Sequence, residues 1–247
     1  TDTVSLTGMM ALTRHVRHTI ASSQRLRGAE IVVGGFAASS LDLQEHLLRR
    51  FPGMVGLILG VTGIMLLVAF RSILVPLKAV VLNCVSVGAA FGITVLVFQH
   101  GYGIQLFGLD GPTEAIFVIV PVLVFATVFG LSMDYEVFLL TRIKEVFDKT
   151  GRNDHATMEG LSATASTITF AALIMIIVFG NFAFARVLAV QFIGFGLAVA
   201  VFLDATLIRM VLVPAIMHIA GRWNWWPGVR ARRREVGGGE PTQARLP

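Results

Sequence analysis

Three polar residues follow one another inside an apolar run, at Asp134, Tyr135 and Glu136 of "FGLSMDYEVFLL". An ionised carboxylate in hydrocarbon costs about 3 kcal/mol on insertion scales and more in simulations. A desolvated carboxyl group can also bind and release a proton near neutral pH, and the Tyr135 hydroxyl can donate or accept a hydrogen bond. These residue types at this spacing indicate either a proton relay or a structural acid with hydrogen-bonding partners.

Asp134 and Tyr135 are the residues that we expect to carry a proton relay. Asp134 precedes Arg142, the expected cytoplasmic interface, by about 12 Å along a helix, which puts it near the middle of a bilayer. Glu136 points about 200° away round the same helix, so the two acids do not form a dyad. We expect Glu136 to face another helix or the cytoplasmic side.

A stripe of hydroxyl side chains in a later apolar run could support the acid. Ser162, Ser166 and Thr169 share one face of a helix. Serine and threonine can bond to carbonyl groups of their own helix, in which case the stripe serves packing. Alternatively the stripe faces Asp134.

A second charged pair, Asp204 and Arg209 in "LDATLIRMVLVPA", is interpreted as structural. Five residues turn an α-helix through about 140° beyond one full turn, so the two side chains are predicted not to pair. Arg209 can extend to the lipid head groups, whereas Asp204 needs a partner on another helix.

Composition places these residues in a membrane protein. The chain has 247 residues, of which 55% are hydrophobic and 14% charged, with a mean hydropathy of +0.77; soluble domains have about 25% charged residues. The single cysteine, Cys84, excludes an internal disulfide framework and a Cys-rich metal site. No P-loop pattern is found. The basic residues flank apolar runs, which indicates membrane topology and no nucleic-acid partner.

Five apolar spans are long enough to cross a bilayer. They are predicted near 52–70, 74–98, 115–141, 160–180 and 186–212. Two glycine pairs, Gly56-x-x-x-Gly60 and Gly88-x-x-x-Gly92, predict close helix packing.

Residues 1–50 are predicted to be soluble and to form helix, strand and helix, with Ser40 as the cap of the second helix. This is too little to bury a core, so it is interpreted as the end of a larger α/β domain. Residues 51–221 then form the membrane domain, and 222–247 a basic, disordered tail lying against anionic lipid. We expect the chain to be part of a longer protein.

Lysine and arginine in the short loops predict the orientation. Arg71 and Lys78, the loop from Arg142 to Arg152 and the tail fall on one side, which is assigned to the cytoplasm. Residues 1–50 then lie outside.

Three motifs resemble the MMPL family of transporters in the RND superfamily, over most of residues 30–220. "GLSMDYEVFLLTRIKE" is similar to its Asp-Tyr signature, "LDATLIRMVLVPAIM" to its last membrane helix and "VGGFAASSLDLQE" to the end of its second periplasmic domain. The resemblance implies an all-α polytopic membrane protein: a five-helix bundle preceded by a small α/β remnant of a porter domain.

The resemblance also implies a function. Such transporters have two similar halves, each with an Asp-Tyr pair that carries protons, and Asp134 and Tyr135 match the pair of the second half. The implied activity is export of lipids or other hydrophobic compounds across a bacterial plasma membrane, driven by the proton gradient. The resemblance implies no cofactor and no ATP site, which agrees with the missing P-loop pattern. The implied partners are the hydrophobic substrate and the missing N-terminal half; association with further copies of the chain is left open.

Two other functions are weighed against export. The chain could be a non-transporting membrane module that binds lipid or a partner. It could also be an intramembrane aspartyl protease using Asp134 and Asp204, but the flanking motifs of that class are missing. A second Asp-Tyr span in the longer protein would favour the transporter.

Overall fold

A computed structural model describes residues 6–23, 31–109, 111–113 and 118–226. In this part of the chain the α-helices are α1 Leu6–Ser22, α2 Phe36–Phe70, α3 Leu74–Phe98, α4 Ile119–Thr150, α5 Asn153–Phe182, α6 Leu188–Leu203 and α7 Val213–Ala220. A π-helix, Asp204–Leu212, joins α6 to α7, and short 3₁₀ turns occupy Ile104–Phe107 and Gly221–Trp225. These residues contain no strand.

The five predicted spans are confirmed. The helices α2, α3, α4 and α5 and the stretch Leu188–Ala220 are each long and apolar enough to cross a membrane. Helix α4 continues beyond the predicted end at 141 to Thr150. Its extension is polar, and the exposed pairs Lys144–Asp148 at 3.1 Å and Lys149–Glu145 at 2.9 Å lie four residues apart along it, which favours helix.

The predicted α/β remnant is not found in the described residues. The first predicted helix is present as α1, but residues 31–35 form no strand, and the start of the predicted strand, at 29–30, lies outside the described residues. Ser40 is not the cap, because α2 begins at Phe36 after Gly35, whose φ of 109° favours glycine. Helix α2 then runs without a break to Phe70, so the predicted boundary at 50/51 falls inside one helix.

An ion pair holds α1 against α2. Arg17 Nη2 donates a hydrogen bond of 2.9 Å to Asp42 Oδ2 and another of 3.1 Å to the Val33 carbonyl. The bond to Asp42 is the largest of the interactions that raise the pKa of Arg17, so this side chain stays charged.

The apolar core lies between α3, α4, α5 and α6. Leu140, Ile143 and Phe192 are fully buried there. Helix α2 lies at the edge of the bundle: only 11% of its most apolar window is buried, against 50% for Leu188–Ala220. Its outward apolar side chains, such as Leu57 and Ile64, are exposed, as expected for a surface that contacts lipid.

Two glycines mark the closest helix crossings. A Cβ at Gly160 would lie 2.6 Å from Ile143 Cγ1, and one at Gly194 would lie 2.5 Å from Phe182 Cβ. Only glycine therefore fits where α4 meets α5 and where α5 meets α6. The predicted glycine pairs are not at such crossings. An added Cβ would have no atom within 4 Å at any of their four positions: Gly56, Gly60, Gly88 and Gly92.

The last described residues close one end of the bundle. We call residues 221–226 the C-terminal cap. Asn224 and Trp225 are buried, Ser72 Oγ donates to the Asn224 carbonyl at 2.5 Å, and Trp225 stacks on Phe147 with ring centroids 5.1 Å apart. The tail predicted from 222 onward thus overlaps the folded bundle, while 227–247 lie outside the described residues.

Candidate functional site

Six polar side chains lie together between α3, α4 and the π-helix, and we call them the buried polar cluster. Each is at most 6% exposed. The members are Asn83, Ser86, Ser132, Glu136, Asp204 and Arg209. Buried polar groups in such number are costly unless they are paired or have a function.

The prediction that Asp204 and Arg209 do not pair is wrong. Arg209 Nη2 lies 2.8 Å from Asp204 Oδ2. The reason is the π-helix, in which backbone hydrogen bonds span five residues, so residues five apart lie on the same side. Val213 N–H, for example, donates to the Ile208 carbonyl. Pro214 has no N–H, so the α-helical bond to the Met210 carbonyl cannot form.

Arg209 also does not extend to the head groups, because it is 4% exposed. Its Nη2 donates a second bond of 3.2 Å to the Ser132 carbonyl. The guanidinium carbon lies 5.3 Å from the centroid of the Tyr135 ring, a cation–π distance. Arg209 Nη1 has no hydrogen-bond partner in the described part of the chain.

Helix α3 contributes two side chains to the cluster. Asn83 Oδ1 accepts a bond of 2.5 Å from Ser132 Oγ of α4. Asn83 Nδ2 and Ser86 Oγ are buried and find no partner among the described residues. Arg209 Nη1 is likewise buried without a partner among the described residues. The buried polar cluster therefore contains three polar atoms that could form further hydrogen bonds.

Glu136 points into the bundle. It follows Ser132 by four residues, on the same face of α4, and is 6% exposed. It interacts electrostatically with Arg209, Asp204 and Lys78. Of the two environments that the sequence allowed for Glu136, the structure places it against other helices.

Asp134 points out of the bundle. It is exposed, and among the described residues it makes no hydrogen bond and no ion pair. The stripe Ser162, Ser166 and Thr169 is exposed as well, and its side chains make no hydrogen bond within those residues. The contact between this stripe and Asp134 that the sequence suggested is therefore absent from the described residues.

Tyr135 lies between these two environments. Its hydroxyl is 3.5 Å from Met175 Sδ of α5, and its ring covers Arg209. A small, partly open cleft lies beside Tyr135, and Asp204 and Arg209 also line it. In the described ranges no three His, Cys, Asp or Glu side chains come together as metal ligands.

Sequence reasoning missed Lys78 and Asn83. Lys78 was considered only as a basic residue that flanks a cytoplasmic turn. It is 8% exposed inside the bundle, where Nζ donates a bond of 2.9 Å to Asn224 Oδ1 of the C-terminal cap. The available signal was that both residues interrupt an apolar run, since polar residues inside membrane spans face the protein interior.

Comparison with known proteins identifies the family. The model of the MMPL family matches residues 7–239. The chain belongs to the MMPL family. This agrees with the motifs around Asp134 and Asp204, and it makes the chain a multi-pass bacterial membrane protein of a transporter family.

Several MMPL proteins are similar to this chain. The heme uptake protein MmpL11 of Mycobacterium tuberculosis is 45% identical over 80% of this chain and 20% of its own length. The mycolic acid-containing lipids exporter MmpL11 of Mycolicibacterium smegmatis is 44% identical over 81% of this chain and 21% of its own. The trehalose monomycolate exporter MmpL3 of Mycobacterium tuberculosis is 36% identical over 85% of this chain and 22% of its own length. The chain thus spans about a fifth of the length of these relatives.

Proposed function

We propose that this chain is the C-terminal membrane half of a transporter that exports lipids or other hydrophobic compounds and is driven by the proton gradient. Membership of the MMPL family supports a role in transport. Two of the similar proteins are named as lipid exporters, and the third is named as a heme uptake protein. We therefore favour a lipid as the substrate over heme.

One observation carries this proposal: the exposure of Asp134 on a membrane-spanning helix. An ionised acid facing lipid there costs about 3 kcal/mol or more. Another protein surface must therefore cover α4 at this point, or the acid must be protonated. The rest of the transporter supplies such a surface, since the chain spans only about a fifth of its relatives.

In this proposal Asp134 binds a proton and Tyr135 passes it on. Protonation removes the charge of Asp134, so helices can shift without moving a buried charge through hydrocarbon. Tyr135 fits the role of intermediary because its hydroxyl can donate and accept a proton and its ring packs against Arg209, at the edge of the buried polar cluster. Asp204 and Arg209 hold α4 and the π-helix in register beside it.

The remaining parts of the proposal concern partners and orientation. The N-terminal half of the same transporter packs on the face that carries Asp134, Ser162, Ser166 and Thr169. The protein lies in the bacterial plasma membrane, with α1 outside and the C-terminal cap on the cytoplasmic side.

The experiment compares Asp134→Asn with the unaltered protein in the complete transporter. Asparagine keeps the size and hydrogen bonding of the side chain but cannot ionise. The purified transporter is placed in liposomes, a pH gradient is imposed, and both proton flux and export of a mycolic acid-containing lipid are followed. We expect both to fall by about a hundredfold, the contribution typical of a proton-transferring group.

Asp148→Asn is the matched control, since Asp148 lies on the same helix but is exposed beyond the span and pairs with Lys144. Flux and export of the control should equal those of the unaltered protein. If Asp134→Asn is inserted normally and still exports, the relay assignment is wrong. If no variant affects any transport and the unaltered transporter carries no protons, the chain is a lipid- or partner-binding module instead.

A further inference from the structure

Glu136 differs from the other buried charged side chains in having no direct partner among the residues that the structure describes. Arg209 is held by Asp204 at 2.8 Å, and Lys78 is held by the neutral Asn224 at 2.9 Å. Glu136 makes no hydrogen bond and no ion pair to any described residue, although it is 6% exposed. Buried side chains whose role is structural are hydrogen-bonded in the great majority of cases.

The charges around Glu136 come from two elements. Lys78 on α3, and Asp204 and Arg209 on the π-helix, interact with it electrostatically. Within the described ranges, α2 and α5 bring no charged side chain to this point. When Lys78, Arg209, Glu136 and Asp204 are all ionised, their charges sum to zero. When Glu136 takes up a proton, the four groups together carry one positive charge.

Polar groups lie on two sides of Glu136, although none of them is hydrogen-bonded to it in the described part of the chain. On the side of Tyr135, three atoms of the buried polar cluster have no partner among the described residues: Asn83 Nδ2, Ser86 Oγ and Arg209 Nη1. Buried groups of this kind bind water in proteins. Toward the other end, Lys78 reaches the C-terminal cap through Asn224.

We propose that Glu136 is a second proton-binding carboxylate, which receives protons from the Asp134–Tyr135 relay and releases them past Lys78 and the C-terminal cap. The proposal rests on the proposed function, because it extends the same proton path. The proton moves from the Asp134 carboxyl group by way of the Tyr135 hydroxyl and the buried polar cluster to Glu136. From Glu136 it passes to the solvent beyond the C-terminal cap. Lys78 lies on the release side of this path, where it donates a hydrogen bond to Asn224 of the C-terminal cap.

A static ion-pair role for Glu136 would give a different result in mutants. If Glu136 only balances the charge of Lys78, neutralising both residues should restore whatever neutralising Glu136 removes. The variants are therefore Glu136→Gln, Glu136→Asp and the double variant Lys78→Gln/Glu136→Gln. Glutamine at position 78 keeps a donor for Asn224. Glu145→Gln is the matched control, on the exposed part of α4.

The measurement is proton flux through the complete transporter in liposomes, with an imposed pH gradient and a pH-sensitive dye, at a series of pH values on the cap side. We expect Glu136→Gln to lower flux by about a hundredfold and the double variant to stay equally slow. Glu136→Asp should retain part of the flux with a shifted pH midpoint, and Glu145→Gln should behave as the unaltered protein.

Other outcomes overturn the proposal. The proposal is wrong if Glu136→Gln keeps the proton flux of the unaltered protein with the same pH midpoint. It is also wrong if the double variant Lys78→Gln/Glu136→Gln recovers full proton flux. If Glu136→Gln does not fold, the pH midpoint of Glu136→Asp decides, and an unchanged midpoint rejects the proposal. If Asp134→Asn loses proton flux and Glu136→Gln keeps it, only the role of Glu136 is rejected. If Asp134→Asn keeps normal proton flux, the Asp134–Tyr135 relay is rejected.

Discussion

At the scale of single residues, the Asp204–Arg209 pair shows what burial does to an ion pair. Both side chains are almost fully buried, so removing one leaves the other uncompensated. We expect Arg209→Gln to lower the free energy of unfolding by roughly 3–5 kcal/mol, the cost typical of breaking a buried pair. Denaturant unfolding of the detergent-solubilised protein measures this.

An exposed pair on the same bundle provides the comparison. Arg142 and Glu145 form an ion pair at the exposed end of α4, and Arg142→Gln should cost at most about 1 kcal/mol. The double variant Asp204→Asn/Arg209→Gln should recover part of the loss seen in Arg209→Gln. Equal, small effects of Arg209→Gln and Arg142→Gln would mean that the buried pair does not stabilise the bundle.

At the scale of helices, the close crossing of α4 and α5 predicts a sharp difference between two glycines. Alanine at Gly160 would put its Cβ 3.0 Å from the Ile143 backbone, whereas alanine at Gly88 would meet no atom within 4 Å. Gly160→Ala should therefore destabilise the protein by roughly 1–3 kcal/mol through overpacking. Gly88→Ala should be neutral or stabilising, because alanine is the better helix former.

Thermal unfolding of the two variants in one detergent tests this difference. A normal melting temperature for Gly160→Ala would show that α4 and α5 can separate without loss. Destabilisation by Gly88→Ala would show that this face of α3 packs against a partner in the complete protein.

The helices themselves could be predicted from the sequence, but the direction in which each side chain points could not. Length and apolarity are local properties, and they identified the five spans. The spans are apolar on nearly every side, so no periodic pattern indicates that Glu136 points inward and Asp134 outward. The pairing of Asp204 with Arg209 was missed because a spacing of five residues was evaluated with α-helical geometry. A π-helix has no simple sequence signature, although the nearby Pro214 is a signal.

At the scale of the whole molecule, orientation in the membrane is the prediction to test. Lysine and arginine in the short loops favour a cytoplasmic position for the turn between α4 and α5. Single cysteines at Thr150 and Tyr102, both exposed, should then react from opposite sides. The variants Thr150→Cys and Tyr102→Cys are made with Cys84→Ser, because the native cysteine is also exposed.

A thiol reagent that cannot cross membranes is added to intact cells. We expect it to label Tyr102→Cys at once and Thr150→Cys only after the cells are opened. The reverse labelling pattern would show that the bundle has the opposite orientation, with α1 in the cytoplasm. This would contradict the proposed periplasmic position of the porter domain.

The unbroken course of α2 has a mechanical consequence. A helix of 35 residues is about 52 Å long, and the hydrocarbon of a bilayer takes up about 30 Å. The remaining two-fifths projects beyond it and is attached to α1 through Arg17 and Asp42. A tilt of about 10° at one end of such a rod displaces the other end by about 9 Å. If helix α2 tilts as one rigid rod, a small movement inside the membrane therefore becomes a larger one outside it.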